Sequence, residues 1–263
     1  MKMKLTTATI IASIVSACLT TGVSASPEKG LEIAIEADSR DKGFGDSISL
    51  MTMILMDKYG QSTERAIRNR TLEGSDEGDK SLVIFDSPGD VRGTAFLSHT
   101  KKTDSDDQWL YLPALKRVKR IASSNKAGPF MGSEFSYEDI ASQEVEKYTY
   151  NYLRDEQLNG MDCFVVEYDP VDPKSGYTRQ IVWMDKEEYR VQKIDFYDRK
   201  NALLKTLNYE DYNQHLGKFW RSNRMVMTNH QTGKKTELLF ADWKLQTGMT
   251  ERDFEKSALK RTR

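Results

Sequence analysis

Histidine and cysteine are the scarcest reactive residues in this 263-residue chain, at three and two. Two cysteines cannot build a disulfide framework or a cysteine-rich zinc site, and three histidines leave little for a histidine-based one. His99, His215 and His230 lie far apart and show none of the short spacings that place two ligands on one helix face. A Gly-x-Ser-x-Gly elbow, a Walker loop and a dinucleotide fingerprint are all missing; Gly43-Phe44-Gly45-Asp46 lacks the last glycine and the following helix. Excess charge of one sign is missing too. Lys+Arg 39 against Asp+Glu 40 leaves −1, which excludes a general nucleic-acid binder. The acidic clusters at residues 75–79 and 104–107 lack the ligand spacing of a calcium loop. No catalytic residue, cofactor or metal is therefore expected.

What the chain does have is 38% hydrophobic and 10% aromatic residues beside 30% charged ones, enough for a sizeable core and too polar for a membrane channel. Residues 1–25 read as a secretion signal. Lys2 and Lys4 form a basic start, residues 5–19 a threonine-diluted apolar stretch too short to span a bilayer, and Val23-Ser24-Ala25 a small-residue cleavage site. The competing reading is a lipobox, Val15-Ser16-Ala17-Cys18, which places a lipid anchor on Cys18. Either reading puts the chain outside the cytoplasm, in the periplasm. Cleavage after Ala25 removes two lysines and no acid, so the formal charge moves from −1 to −3. Cys163 is then the one cysteine left; its apolar flanks mark it as a buried strand residue.

Residues 26–263 read as one domain. Ser26-Pro27-Glu28 is a helix start, followed by Leu31, Ala34 and Ile35 at helical spacing up to the Gly43-Phe44-Gly45 break. Beyond it come roughly a dozen short apolar or alternating segments, separated by turn signals such as Asn159-Gly160, Leu216-Gly217 and Thr232-Gly233. This is the pattern of a mainly β (α+β) fold, an antiparallel meander curling into part of a barrel. Residues 123–143 break the rhythm with an apolar centre, which suits a lid or plug and is the candidate moving part. A last short helix is expected from Thr250, where Thr250-Glu251-Arg252-Asp253 resembles a capping box.

Met51, Met53 and Met56 fall in one strand, Met225 and Met227 in another. Residues two apart share a strand face, so Met51 pairs with Met53 and Met225 with Met227. Flexible thioethers suit a surface that accepts variable acyl chains; they also suit a closed core. Tyr148, Tyr150 and Tyr152 alternate, as do Tyr177, Ile181 and Trp183, while Trp220, Phe240 and Trp243 sit in the last two strands. Aromatic residues of this kind line a cavity rim or pair across strands. Lys116, Arg117, Lys119 and Arg120 charge both faces of one strand, placing it at an edge. There the cations either discourage sheet-to-sheet pairing or meet anionic headgroups or an acidic partner.

The string Gln108-Trp109-Leu110-Tyr111-Leu112-Pro113-Ala114-Leu115-Lys116-Arg117, followed by Phe130-Met131-Gly132-Ser133-Glu134-Phe135-Ser136-Tyr137-Glu138-Asp139, resembles the bacterial outer membrane lipoprotein-sorting protein family, relatives of the LolA-type periplasmic carrier. Residues 85–93, Asn159-Gly160-Met161-Asp162-Cys163-Phe164 and Ser175-Gly176-Tyr177-Thr178-Arg179 fit the same family, and the likeness covers roughly residues 27–246. The resemblance implies a half-open antiparallel β-barrel around a hydrophobic cavity, covered by short helices and the mid-chain segment. It implies a lipid or lipoprotein acyl chain as cargo and an inner-membrane exporter of the resistance-nodulation-division (RND) type as partner. The cavity candidates are Met51, Met53, Met56, Trp109, Phe130, Met131, Trp183, Met225 and Met227. The alternative is a protein-interaction accessory of such an exporter, without lipid cargo. An enzyme with a dispersed carboxylate site is the third reading.

Overall fold

The computed structural model of the protein describes residues 25–75 and 77–261. The export signal expected over residues 1–25, and the lipobox alternative at Cys18, lie outside the described residues except for Ala25. The described chain opens with a helix, α1 (Pro27–Asp41). Ser26 caps it by accepting the Lys29 amide at 3.3 Å, with proline at the first position and Glu28 in the first turn. The helix stops where Gly43 and Gly45 adopt positive φ, and their amides donate to the Glu73 carboxylate at 2.7 Å each.

Thirteen strands follow: β1 (Asp46–Met56), β2 (Ser62–Leu72), β3 (Lys80–Ser87), β4 (Ala95–His99), β5 (Asp107–Leu112), β6 (Arg117–Ile121), β7 (Tyr148–Leu158), β8 (Met161–Pro170), β9 (Tyr177–Asp185), β10 (Val191–Asp198), β11 (Leu203–His215), β12 (Phe219–Asn229) and β13 (Lys235–Leu245). They form one antiparallel sheet in the order β6-β5-β4-β3-β2-β1-β13-β12-β11-β10-β9-β8-β7. Neighbours are consecutive hairpins except where β1 joins β13, which draws the two ends of the strand run to the middle of the sheet. The sheet does not close on itself, and its edges, β6 and β7, are consecutive in sequence. This is the half-open antiparallel barrel expected from the sequence, with a single α-helix among the described residues.

Strand alternation sorts side chains onto two faces. Met53, Ile67, Phe85, Phe96, Val166, Val182, Phe196, Met227 and Leu238 belong to one interior cluster, together with Ile33 and Ala34 of α1 and with Phe130 and Phe135 of the mid-chain segment. The convex side carries two smaller clusters. Leu82, Ile84, Ala95 and Leu97 are covered by Phe254 and Leu259, while Cys163, Val165, Ile181 and Trp183 gather near the β7 edge. Cys163 is fully buried there. The helix expected at Thr250 is instead a 3-10 turn, Glu251–Phe254, with the Thr250 amide donating to Asp253 at 2.9 Å. Phe254 and, five residues on, Leu259 are both buried against the sheet.

One alternation read from the sequence breaks. Tyr197 and Asp198 of β10 face Arg179 and Tyr177, so Thr178 is an extra residue in β9. That bulge turns Tyr177 into the interior, while Ile181 and Trp183 stay on the convex face.

The start of α1 seals part of the β7 edge: Ser26 and Tyr152 exchange two backbone hydrogen bonds of 3.0 Å. One turn later a Cβ on Gly30 would lie 2.7 Å from the Tyr152 nitrogen, so only glycine admits this approach. Gly30→Val is expected to lower stability by about 1–3 kcal/mol by forcing helix and strand apart. The loss shows as a lower denaturation midpoint with faster amide exchange across α1; an unchanged midpoint and exchange pattern would contradict the tight contact.

Candidate functional site

Segment 122–147 runs from one sheet edge to the other through the concave side. Phe130, 0% exposed, lies 5.2 Å from the Phe96 ring and 5.5 Å from the Tyr137 ring, ending the interior as a packed aromatic knot. Polar bonds tie the segment to strands all round that end. Arg65 of β2 donates to the Met131 carbonyl at 2.6 Å, Thr236 of β13 accepts the Glu134 amide at 2.9 Å, and Gln108 of β5 donates to the Tyr137 carbonyl at 3.0 Å. At the centre, Lys205 of β11 lies 2.6 Å from Asp139, with both side chains nearly buried, and also donates to the Glu134 carbonyl at 2.9 Å. Asp139 accepts further bonds from the Ser136 amide at 2.6 Å and the Tyr177 hydroxyl at 2.8 Å. Burial and the neighbouring Asp139 and Glu138 push the Tyr177 phenol well above its usual range, so it remains a donor.

The opposite end of the half-barrel is open. β12 and β13 pair only between Arg224–Thr228 and Lys235–Leu239; farther on, β12 follows β11 and β13 follows β1. A bulge at Asp242, with φ +53°, bends β13 away at this point. The gap opens into a pocket of about 520 Å³, within the range of small-ligand sites. Met184, Val191, Tyr209 and Met225 form its floor and are continuous with the interior cluster; Tyr189, Tyr212, Trp220 and Trp243 form its walls. Arg40 and Asp41 at the end of α1 close one side.

The walls are held firmly. The Arg190 guanidinium lies 4.5 Å from the Trp220 ring centre and 5.5 Å from that of Tyr212, and it donates to Asp185 at 2.8 Å. Trp220 donates to Glu188 and Trp243 to Asn223, both at 3.1 Å, and Trp243 stacks on Phe240. Burial opposes ionisation of Asp185, yet bonds from Arg190, the Glu188 amide and Gln192 outweigh it and hold the carboxyl below its ordinary value. Asp41 shifts the other way: burial raises it, and the nearby Arg221 offsets this only in part.

The residues singled out from the sequence divide among five places. Met51, Met53, Met227 and Phe130 lie in the closed interior, none more than 6% exposed. Of the methionines singled out, Met225 alone reaches the open pocket, beside Met184, while Met131 packs beside Phe130 and Met56 borders a shallow hollow near the β1–β2 turn. Trp109 and Trp183 sit on the convex face, not in the cavity, because the parity of β5 and of β9 points them outward. Trp109 lies 5.1 Å from His99, and Trp183 lies under Lys193. Lys116, Arg117, Lys119 and Arg120 are exposed on and beside the free edge strand β6, where Arg120 pairs with Asp107. Tyr189, Arg190, Tyr209 and Tyr212 were not foreseen; Met225 and the placement of Trp220, Phe240 and Trp243 in the last two strands were the sequence signals near them.

These features define a LolA-like half-barrel, plugged at one end and carrying an apolar pocket with an aromatic wall at the other. A family model described as an uncharacterized protein matches residues 77–261. The structure of an outer membrane lipoprotein-sorting protein domain from Vibrio parahaemolyticus is 59% identical, covering 89% of this chain and 100% of that one, with a TM-score of 0.88. The chain belongs to this outer membrane lipoprotein-sorting family. A DUF1329 family protein from Desulfovibrio piger is 30% identical over 88% of this chain and 98% of that one, with a TM-score of 0.84. A LolA superfamily protein from Nitrosomonas europaea shares the fold at 23% identity and a TM-score of 0.69, covering 87% of this chain and 98% of that one. No curated protein matches the chain.

Two outcomes follow for the ends of the half-barrel. Lys205→Ala strands a buried carboxylate at Asp139 and is expected to cost about 3–5 kcal/mol, whereas the double change Lys205→Met with Asp139→Leu costs far less; chemical denaturation of both variants measures the difference, and equal losses would contradict it. Asp185 stabilises the β9–β10 turn above its ordinary carboxyl value of 3.8, and that contribution disappears as pH falls through the lower folded-state value. Acid titration is therefore expected to lower the melting temperature below about pH 4, with a smaller fall in Asp185→Asn than in the unchanged protein.

Proposed function

We propose that the protein is a non-enzymatic periplasmic carrier that binds an acyl chain of a lipid or lipoprotein at the open end and transfers it toward the outer membrane. The observation that carries this reading is the open-end pocket. Its floor of Met184, Val191, Tyr209 and Met225 is a direct continuation of the apolar interior. An acyl chain needs no chemistry to be held there, only removal from water, worth about 0.8 kcal/mol per methylene. Polarizable methionines and wall tryptophans adapt to chains of differing length. The polar bonds around residues 130–139 suit a fixed stop at the far end, so cargo enters and leaves past α1 and Trp243. An RND-type inner-membrane exporter is the donor partner in this reading. Export by the segment 1–25, or anchoring through Cys18, delivers the chain to that compartment.

A second reading is favoured by one observation: the interior around Met53, Met227 and Phe130 is filled by the protein's own side chains. In that reading the domain is a protein-interaction accessory of the exporter and carries no lipid. Titration with a fluorescent fatty acid, alongside mass spectrometry of lipids extracted from the purified protein, separates the two. The carrier reading expects saturable uptake with quenching of tryptophan emission. It also expects a loss of about tenfold or more for Met225→Glu, which places a charge in the pocket floor. Met227→Ala is expected instead to destabilise the fold by about 2–5 kcal/mol. A folded protein with no co-extracted lipid and no uptake would leave only the accessory reading.

A further inference from the structure

A second wide hollow lies away from the interior. A groove of about 1060 Å³ on the convex side is lined by Arg68, Arg92, Lys116 and Lys260, with Tyr111 and Pro113 among its walls. Its cations come from four separate chain segments: β2, the β3–β4 turn, the β5–β6 turn and the last 3-10 turn, Ala258–Lys260. Burial of Phe254 and Leu259 against Leu82, Ile84 and Leu97 lays the end of the chain across the sheet and brings Lys260 to the groove. Asp86 is the one acid lining it, and Arg68 already holds both of its oxygens at 2.8 Å. Arg92, Lys116 and Lys260 are exposed and form no ion pair among the described residues.

In a chain of net charge −1 this is segregation of charge, not the average of the surface. Three cations without counter-charges repel one another around one hollow, and that repulsion is relieved by an anion seated between them. The chemistry of the lip selects the kind of anion. Leu115, between Pro113 and Lys116, is 63% exposed at the tip of the turn that precedes β6, with Arg117 and Lys119 beyond it. An exposed leucine ringed by cations, with a tyrosine beside it, has the form of a membrane-interface contact: the apolar tip enters the headgroup boundary while the cations meet phosphates. An acidic peptide would use the cations and leave Leu115 in water.

We propose that this groove and the Leu115 tip dock the protein on a membrane surface rich in anionic phospholipid, with Arg92, Lys116 and Lys260 holding headgroup phosphates. The site lies on the opposite face of the sheet from the apolar pocket and does not depend on the carrier reading. Docking here leaves the open end of the half-barrel free.

Co-sedimentation of the purified protein with vesicles tests it. Vesicles of phosphatidylethanolamine and phosphatidylglycerol should bind the protein and purely zwitterionic vesicles should not, with binding weakened by salt. Each of Arg92→Gln, Lys116→Gln and Lys260→Gln should weaken binding about fivefold. Leu115→Ser should remove the part of the binding that survives high salt. These four residues are exposed, so far-UV circular dichroism and melting should be unchanged in each variant. Fatty-acid uptake should also be unchanged, which keeps this test separate from that of the carrier. Equal binding to both vesicle types, no binding to either, or unweakened binding by the three glutamine variants would overturn the proposal. So would displacement from vesicles by inorganic phosphate at a concentration matching the lipid phosphate, since the ligand would then be a soluble anion.

Discussion

An antiparallel sheet that curls but does not close must bury its concave apolar face against something other than itself. Here that constraint falls on thirteen strands whose two edges, β6 and β7, are neighbours in sequence but stand at opposite ends of the strand order. The connection between them has to cross the gap, and it does so through the interior. It brings Phe130 and Phe135 into the core, while α1 brings Ile33 and Ala34 from the other side. The closed end, the open end and the position of the pocket all follow from where these two fillers stop.

The fillers differ in how they are held. The mid-chain segment is fixed by directional polar bonds, with a nearly buried Lys205–Asp139 pair whose remaining valences go to Tyr177, Ser136 and Glu134. Such a pair adds little net stability, but removing one partner is costly, so it specifies a position more than it strengthens one. The helix is held by a glycine contact and an edge seal on β7, and only its apolar stripe joins the core. Its last turn borders the pocket. A half-barrel built this way has one rigid end and one whose boundary is a single helix turn and two splayed strands.

Strand positions were legible in the sequence because turn residues and period-two alternation report local backbone geometry. Each of the thirteen strands corresponds to a segment read from the sequence, and Met51 and Met53 do share a face, as do Met225 and Met227. The site was much less legible. Trp109 and Trp183 are aromatic and strand-borne like Trp220 and Trp243, yet they face outward; the absolute parity of each strand decides this, and it has no local signal. The methionines posed the same difficulty. Nothing in a Met-x-Met pair distinguishes a core closed by Phe130 from a pocket left open by a splayed strand.

The amino-acid sequence by itself determined the strand positions, the first helix, the antiparallel order of most hairpins, the burial of Cys163 and the family, since each depends on nearby residues or on motifs written along the chain. Tertiary structure alone decided that β1 pairs with β13, that β12 and β13 part beyond Arg224 and Leu239, and that Tyr189, Arg190, Tyr212 and Trp220 meet around one hollow. It also decided that Arg68, Arg92, Lys116 and Lys260, distant in sequence, surround another. The physical reason is common to all of these. Their partners lie tens to hundreds of residues apart, and which residues meet is set by the curvature of a sheet and by what fills it, not by the preferences of any short stretch of chain.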